Sequence, residues 1–188
     1  MATETEIKLK VPGADEFRQK LGWLMPKRLA ERHFEDNFVL DFPDGRLRGQ
    51  ACLMRVRKTK HGESVTFKGP PQPSAHFKSR EELETKVENA DAMLAILQQL
   101  GLSVWFRYQK YREEYSVSLA GHPGGEIKVA IDSTPIGDYV ELEGTEAGIR
   151  QVAARLGFEE SMFLRDSYYA LFLQSHPVTV HMVYAEEP

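Results

Sequence analysis

Residues 4–8, "ETEIK", alternate charged with uncharged side chains. In a β-strand successive side chains point to opposite faces, so Glu4, Glu6 and Lys8 would share one face, with neighbours roughly 6 to 7 Å apart. Taken alone, the stretch is most simply interpreted as the solvent-exposed face of a strand whose other face packs on a core. It decides the fold only together with later segments that repeat its pattern.

The same alternation recurs along most of the chain. Like charges stand two residues apart in several predicted strands, and many residues that alternate with the charged positions, such as Ile7, Val56 and Leu142, are apolar. A solvent-exposed face usually mixes both signs with uncharged polar residues. The alternating positions hold the acids Glu4, Glu6, Glu82, Glu84, Asp132, Glu141 and Glu143 and the bases Lys8, Arg55, Arg57, Lys68, Arg80, Lys110 and Arg112.

Enclosing these charges requires that acids and bases be interleaved in space. Two carboxylates about 7 Å apart repel by about 2 kcal/mol at an effective dielectric near 20, so several enclosed pairs would rival a total stability of ~5 to 15 kcal/mol. A closed antiparallel barrel with its charges inside and helices packed outside meets the condition, because interior and exterior positions alternate along every barrel strand. The predicted fold class is therefore α+β, built on such a barrel.

The chemistry of this interior indicates a metal-bound polyphosphate as the ligand. Carboxylate oxygens are hard ligands that favour Mg²⁺ or Mn²⁺, and guanidinium groups match the geometry of phosphate oxygens. The six histidines have no close metal-ligand spacing, so zinc is not expected. Trp23, Trp105 and Tyr108 could contact an organic part of a substrate, although aromatic residues beside strands more often belong to a core.

The order of the charged elements resembles the CYTH domains, also called triphosphate tunnel metalloenzymes. The N-terminal E-x-E-x-K is a weak signal by itself, and the later elements supply most of the specificity. These are R-x-R at Arg55 and Arg57, T-x-K at Thr66 and Lys68, R-x-E-x-E at Arg80, Glu82 and Glu84, K-x-R at Lys110 and Arg112, Asp132, and E-x-E at Glu141 and Glu143. The matches run from residue 4 to about residue 170.

The resemblance implies eight antiparallel strands closed into a tunnel, with Mg²⁺ or Mn²⁺ and a triphosphate inside. The implied metal ligands are Glu4, Glu6, Glu82, Glu84, Asp132, Glu141 and Glu143, of which Glu4, Glu6 and Glu143 would act in catalysis through the metal. The implied triphosphate contacts are Lys8, Arg55, Arg57, Lys68, Arg80, Lys110, Arg112 and Arg165. Where the family often has a basic residue directly before Ser-Tyr, this chain has Asp166, so Arg165 would act from a shifted position.

Three functions stay open on the sequence. The first prediction is hydrolysis of an organic or inorganic triphosphate, such as thiamine triphosphate or tripolyphosphate. A class IV adenylate cyclase would hold ATP in the same clamp, and the 3′-hydroxyl would attack the α-phosphorus to give cyclic AMP and pyrophosphate. A non-catalytic polyphosphate-binding module is the third. No strand motif separates them, because all three need the clamp.

Length and composition predict the setting. The 188 residues, 41% of them hydrophobic, suit one domain over 1–188, with a core at about 3–173 and a C-terminal tail at about 174–188. The net charge of −4 gives no general attraction to nucleic acid or to an anionic membrane, so neither partner is expected. The single cysteine, Cys52, excludes an internal disulfide, and an acidic start without an apolar leader predicts a cytoplasmic protein. Homodimerisation stays possible.

Three segments repeat the order strand, helix and Leu-Gly stop. Gly22, Gly101 and Gly157 are predicted to end the three helices in the left-handed conformation. Asn89 or Asp91 is the predicted N-cap of the second helix and Thr145 that of the third. Residues 161–173 are predicted as a last helix and 176–188 as a final strand. Residues 69–79 are predicted as a mobile connection and 120–126 as a hairpin turn.

Overall fold

The structure is a computed structural model that describes residues 2–74, 76–119, 125–175 and 180–186. Within these residues eight strands close into one barrel, in the order β1-β5-β4-β3-β2-β6-β7-β8, with every neighbouring pair antiparallel. The strands are β1 Ala2–Val11, β2 Lys27–Asp41, β3 Leu53–Thr59, β4 Gly62–Lys68, β5 Lys78–Val87, β6 Ser103–Ser118, β7 Glu126–Thr134 and β8 Gly137–Glu143. The predicted closed barrel is confirmed.

Five α-helices and one 3-10 turn accompany the barrel in the described part of the chain. The helices are α1 Ala14–Gly22, α2 Arg46–Gly49, α3 Ala90–Gln99, α4 Glu146–Arg155 and α5 Tyr168–Ser175, and the 3-10 turn is Glu160–Met162. No helix in the described residues is both long enough and apolar enough to cross a membrane.

The apolar residues between the charges face outward and are covered by helices. Ile7 and Leu142 are directly opposite each other on β1 and β8 and are buried in a cluster with side chains of α1 and α4. Leu94 and Leu97 of α3 cover Val56 of β3 in a second cluster. Each fully buried aliphatic side chain contributes about 1.5 to 3 kcal/mol. These two clusters therefore lie outside the barrel wall, whereas a third, which includes Phe106, Tyr108 and Tyr168, borders the interior cavity.

The predicted helix ends are mostly confirmed. Gly101 and Gly157 take the left-handed conformation, with φ of +92° and +82°. The side chains of Asn89 and Thr145 accept hydrogen bonds from the first turns of α3 and α4, whereas Asp91 lies inside α3. The prediction for Gly22 is wrong: it belongs to α1, and the left-handed residue that follows is Met25, with φ of +49°.

The predicted helix at 161–173 is wrong in its first half, since α5 begins only at Tyr168. The preceding segment is extended at Leu164, which exchanges two backbone hydrogen bonds with Lys8, of 2.8 and 2.9 Å. The pairing of β5 with β1 stops at Glu6, opposite Lys78, so the next peptide groups of β1 need another partner. Leu164 supplies it.

The final strand predicted at 176–188 is not found in the described residues of that range, where only Met182 pairs with the barrel. Met182 is fully buried and hydrogen-bonds through its backbone to Arg107 and Gln109 of β6, beyond the point where β7 stops pairing with that strand. It forms an isolated bridge rather than a strand. Residues 176–179 and 187–188, and residues 120–124 of the predicted turn, lie outside the described residues. The connection predicted at 69–79 contains no strand in its described part as far as Phe77, but Lys78 and Ser79 already belong to β5, so the prediction is wrong at that end.

Candidate active site

The barrel encloses a cavity of about 810 Å³. Nearly all of the residues predicted for the site line it: Glu4, Glu6, Glu82, Glu84, Glu141, Glu143, Lys8, Arg55, Arg57, Lys68, Arg80, Lys110, Arg112 and Arg165. The exception is Asp132, which is fully buried behind the lining. The charged side chains of separate strands thus point into the same cavity.

The strand register explains how acids and bases become neighbours. Lys8 of β1 lies opposite Glu141 of β8, and Lys68 of β4 lies opposite Glu82 of β5. Side chains in such directly opposed positions are close enough to interact. Along each strand the charged residues are two positions apart, and across neighbouring strands acids lie opposite bases. This places opposite charges next to each other, as enclosure requires.

Asp132 is held by three donors inside the barrel. Lys110 Nζ donates at 2.9 Å, Arg112 Nη2 donates at 2.6 Å, and the hydroxyl of Tyr168 donates at 2.6 Å. Arg112 Nε donates to the second carboxylate oxygen at 2.7 Å. Both oxygens of this acid are thus engaged in fixing two cations.

Glu141 and Lys8 form a second buried charge group. Lys8 Nζ lies 3.3 Å from Glu141 and 3.5 Å from Glu6, and Arg112 also contacts Glu141. Burial by itself would raise the pKa of Glu141, but Arg112 and Lys8 outweigh it and hold that pKa well below its ordinary value. The pKa of Lys8 is raised despite burial, because Glu141 and Glu6 favour its charged form. Both groups are therefore charged at neutral pH.

Glu4 and Glu82 both contact the same cation, Lys68. Lys68 Nζ contacts Glu4 and lies 2.6 Å from Glu82. Burial and the hydrogen bond with Glu82 raise the pKa of Glu4 to about 8. Burial opposes ionisation of Glu82 as well, but the hydrogen bond from Glu4 and the charge of Lys68 lower its pKa to about 2. Neighbouring carboxylates disfavour each other's charged form, and a divalent cation bound between them would relieve that repulsion.

Glu143 has no close ion pair among the described residues, although Lys128 lies opposite it on β7. Within the described ranges no Lys, Arg or His nitrogen lies within 4.0 Å of its carboxylate, and burial raises its pKa. Glu84 is partly exposed, accepts a hydrogen bond of 2.7 Å from Thr66 Oγ1, and lies 3.5 Å from Arg55 Nη2. These two carboxylates are the most open to a new partner.

A divalent metal fits the donor chemistry but has no preformed cage. Over residues 2–74, 76–119, 125–175 and 180–186, no group of three or more His, Cys, Asp or Glu side chains is gathered as a metal site. The reason is visible in the contacts, since most of the acids are turned toward lysine or arginine. Carboxylate oxygens at Glu4, Glu6, Glu82 and Glu143 nevertheless border the cavity and are the ligand type that Mg²⁺ and Mn²⁺ prefer.

Several interior residues were missed by the sequence analysis. Lys78 and Lys128 line the cavity, and burial followed by the charge of Lys8 lowers the pKa of Lys78 to about 7. Glu35 is buried and lies 3.2 Å from Arg57 and 3.6 Å from Lys110. Lys78 could have been found two residues before Arg80 on the same strand face. Tyr168 had no such signal, because it reaches the tunnel from a helix.

Two predictions concern the mouth of the tunnel. Arg165 is exposed, borders the cavity and donates a hydrogen bond to the backbone carbonyl of Ser74, so it ties two loops together there. Asp166 also borders the cavity. Of the aromatic residues considered for an organic group, Trp105 and Tyr108 line the cavity, whereas Trp23 does not and is 77% exposed.

Comparison with known proteins shows which family this barrel belongs to. The model of the CYTH domain family matches residues 2–169, almost the whole chain. The chain belongs to the CYTH domain family.

The CYTH chain has similar proteins in distant organisms. A protein of Methanocaldococcus jannaschii named "Putative adenylate cyclase" is 26% identical over 182 residues, which cover 89% of this chain and 97% of that protein. A structure described as a putative adenylate cyclase from Vibrio parahaemolyticus superimposes with a TM-score of 0.73 at 18% identity, covering 90% and 97% of the two chains. A structure from Hippeastrum, described as a putative adenylyl cyclase that reveals a dominant triphosphatase activity, has a TM-score of 0.62 at 18% identity, covering 93% of this chain and 96% of that one.

Proposed function

We propose that this CYTH chain is a metal-dependent enzyme that hydrolyses a triphosphate compound, with Mg²⁺ or Mn²⁺ as cofactor. One observation carries the proposal: a single cavity of about 810 Å³ is lined by both buried cations and carboxylates, drawn from all around the barrel. A row of cations alone would suit any polyanion. Carboxylates in the same space suit a polyanion that arrives with divalent metal.

The cations would clamp the phosphate chain. Lys8, Lys110 and Arg112 are almost fully buried and are already oriented by Asp132 and Glu141. Charges fixed before the substrate arrives stabilise the charge that develops on the leaving group without reorganisation at the moment of reaction. Arg55, Arg57, Lys68 and Arg80 extend the clamp around the barrel.

The acids divide into two roles in this proposal. Glu4, Glu6, Glu82 and Glu143 border the cavity and would hold the metal, with Glu84 and Glu141 nearby. A divalent ion held there would supply electrophilic assistance to the phosphoryl group. Asp132 would act as a positioning residue, because both of its oxygens already hold Lys110, Arg112 and Tyr168.

Cyclisation of ATP is the second candidate function, favoured by the cyclase names of the proteins from M. jannaschii and V. parahaemolyticus. The Hippeastrum protein carries a cyclase name together with a dominant triphosphatase activity. A cyclase name on a CYTH barrel therefore does not decide the reaction. The two reactions differ in which phosphorus faces the nucleophile, and the clamp serves both.

The test is a product analysis with purified protein. Inorganic tripolyphosphate, thiamine triphosphate and ATP are each incubated with Mg²⁺ or Mn²⁺, and orthophosphate, pyrophosphate and cyclic AMP are followed. We expect orthophosphate to be released from at least one substrate. Cyclic AMP with stoichiometric pyrophosphate from ATP would overturn hydrolysis in favour of the cyclase, and tight polyphosphate binding without turnover under either metal would leave a binding module.

A pair of neighbouring residues provides a matched control for that assay. Glu82 faces the cavity and Glu81, next to it on β5, is exposed on the outer face. We expect Glu82→Gln to lower turnover at least about 100-fold and Glu81→Gln to leave it unchanged. Equal activity of the two variants would remove Glu82 from the proposed metal set.

A further inference from the structure

Strand β6 contains an irregularity in its pairing with β2, at the part of the cavity that is lined by Trp105, Phe106 and Tyr108. Phe106 pairs with Val39 of β2 and Val104 pairs with the next residue, Leu40, so Trp105 has no partner of its own. An extra residue of this kind is a β-bulge, which interrupts the alternation of faces and re-aims a side chain. Trp105 and Phe106 consequently both line the cavity, although neighbours in a regular strand face opposite sides.

Trp105 meets side chains from two helices. The Tyr169 ring of α5 lies 4.5 Å from the Trp105 ring, nearly perpendicular to it, and the guanidinium of Arg48 of α2 lies 4.5 Å from the Trp105 ring. All three side chains border the cavity, and Trp105 is only half-buried. We call Trp105, Tyr169 and Arg48 the aromatic subsite.

A buried acid holds Arg48 in this position. Asp41 is 1% exposed, lies 2.9 Å from Arg48 Nε, and accepts backbone hydrogen bonds of 2.8, 3.0 and 3.1 Å from Phe42, Leu47 and Arg48. The short helix α2, which carries Arg48, is therefore anchored to Asp41 at the end of β2. A pre-ordered cation beside two aromatic rings suits a planar group with delocalised electrons.

The aromatic subsite is continuous with the phosphate clamp. Phe106, next to Trp105, stacks on Tyr108 with ring centres 5.8 Å apart, and Arg55 Nη1 donates to the Tyr108 hydroxyl at 3.4 Å. A ligand can thus contact aromatic rings at one end and cations at the other. Inorganic tripolyphosphate has nothing to place on the rings.

We propose that the aromatic subsite binds a planar ring attached to the triphosphate, and that the preferred substrate is an organic triphosphate rather than inorganic tripolyphosphate. The inference rests on the proposed function, in which the clamp holds the triphosphate. Base-on-aromatic stacking is worth about 1 to 3 kcal/mol, which corresponds to about 5- to 150-fold in affinity.

The kinetic test compares Trp105→Leu with the wild type on thiamine triphosphate, ATP and tripolyphosphate. We expect kcat/KM for at least one organic substrate to fall at least about tenfold more than kcat/KM for tripolyphosphate, and Trp105→Phe to recover part of the difference. Trp23→Leu is the matched control, because Trp23 is exposed and outside the cavity. An equal fall on all three substrates, or no fall, would overturn the proposal.

A binding test works without turnover. The chain has two tryptophans, so Trp23→Leu leaves Trp105 as the only indole fluorophore. We expect a non-hydrolysable ATP analogue or thiamine triphosphate to quench this fluorescence while tripolyphosphate at saturation quenches it much less. Quenching in a protein that turns over no triphosphate would refute the proposed function and support the subsite. Turnover of organic triphosphates without selective quenching would refute the subsite and leave the function standing.

Discussion

Glu6 of β1 lies directly opposite Glu143 of β8, and both side chains border the same cavity. The two acids differ in their compensation. Glu6 has Lys8 at 3.5 Å and Lys78 at 3.7 Å, and these charges overcome burial to lower its pKa to about 2. Burial raises the pKa of Glu143, which has no such cation within 4.0 Å among the described residues. One acid is thus anchored, and its neighbour is free to take a new partner.

The first prediction follows from this difference. Glu6→Gln and Glu143→Gln should each lower turnover at least about 100-fold, because both would remove a carboxylate from the proposed metal site. Their effects on stability should differ. Glu6→Gln removes a partner of buried Lys8 and should cost about 3 kcal/mol, whereas Glu143→Gln should be neutral or stabilising, since a raised carboxyl pKa means that the charged form opposes folding above pH 4.5.

Phosphate release and urea unfolding at pH 7 measure the two effects, with Glu81→Gln as the exposed control. Undiminished turnover in both variants would remove Glu6 and Glu143 from the metal set. A large loss of stability in Glu143→Gln would contradict the inference that the charged form of this carboxylate opposes folding.

The second prediction is that metal and triphosphate bind cooperatively. Most acids in the cavity are paired with lysine or arginine, so a metal alone must compete with those cations. A triphosphate would draw the cations toward its own oxygens and release carboxylates for the metal. In thermal unfolding with Mn²⁺, with tripolyphosphate and with both, the joint increase in Tm should exceed the sum of the separate ones. Additive shifts, or a large shift with Mn²⁺ alone, would indicate a preformed metal site.

The third prediction concerns the mouth of the tunnel. Arg165 is exposed, and its charge is screened by water, so Arg165→Ala should raise KM by up to about tenfold and change kcat little. Arg165→Lys keeps the charge and should recover part of the affinity. Steady-state kinetics over a range of ionic strength checks this, because the difference should shrink as salt increases. A fall of 100-fold or more in kcat for Arg165→Ala would instead make it an essential contact to the reacting phosphate.

The fourth prediction is a pH dependence of stability at Asp41. Burial opposes ionisation of this carboxyl, but backbone donors from Leu47, Arg48 and Phe42, with the charge of Arg48, lower its pKa below 3.8. A lowered folded-state pKa stabilises the protein above the unfolded value, and the contribution is lost as pH falls through the folded value. Asp41→Asn should therefore cost about 1 to 3 kcal/mol at pH 7.

The difference between the wild type and Asp41→Asn should stay constant from pH 7 down to about pH 5 and shrink below about pH 4. Urea unfolding of both proteins across this range measures it, and the exposed Asp44→Asn variant is the control on the same loop. A difference that does not change with pH would mean that the charge of Asp41 plays no part in anchoring Arg48.

The tunnel interior could be predicted because it obeys a local rule. Alternation along a strand has a period of two, so Glu4, Glu6 and Lys8 share a face whatever surrounds them. The same rule identified lining residues on five other strands, β3, β4, β5, β6 and β8, and it would have included Lys78 had the pattern been extended two residues before Arg80. The caps at Asn89 and Thr145 were equally predictable, since a cap depends on residues three apart.

The failures came from contacts between segments far apart in the chain. The stretch before Tyr168 is apolar enough for a helix, but Leu164 takes the free edge of β1 that β5 leaves unpaired. The role of Asp132 as a metal ligand stays a prediction, but its burial among Lys110, Arg112 and Tyr168 was not foreseen. Neither outcome is visible until the strand register is known.

The sequence by itself determined that this chain forms a charged barrel with balanced acids and bases, because strand periodicity and net charge are properties of the chain alone. Only the tertiary structure decided which acid meets which base, that Glu143 has no close cation among the described residues, and that Trp105 turns into the cavity. These depend on how neighbouring strands are aligned. A one-residue shift or a bulge reverses the face of a side chain without changing a letter of the sequence.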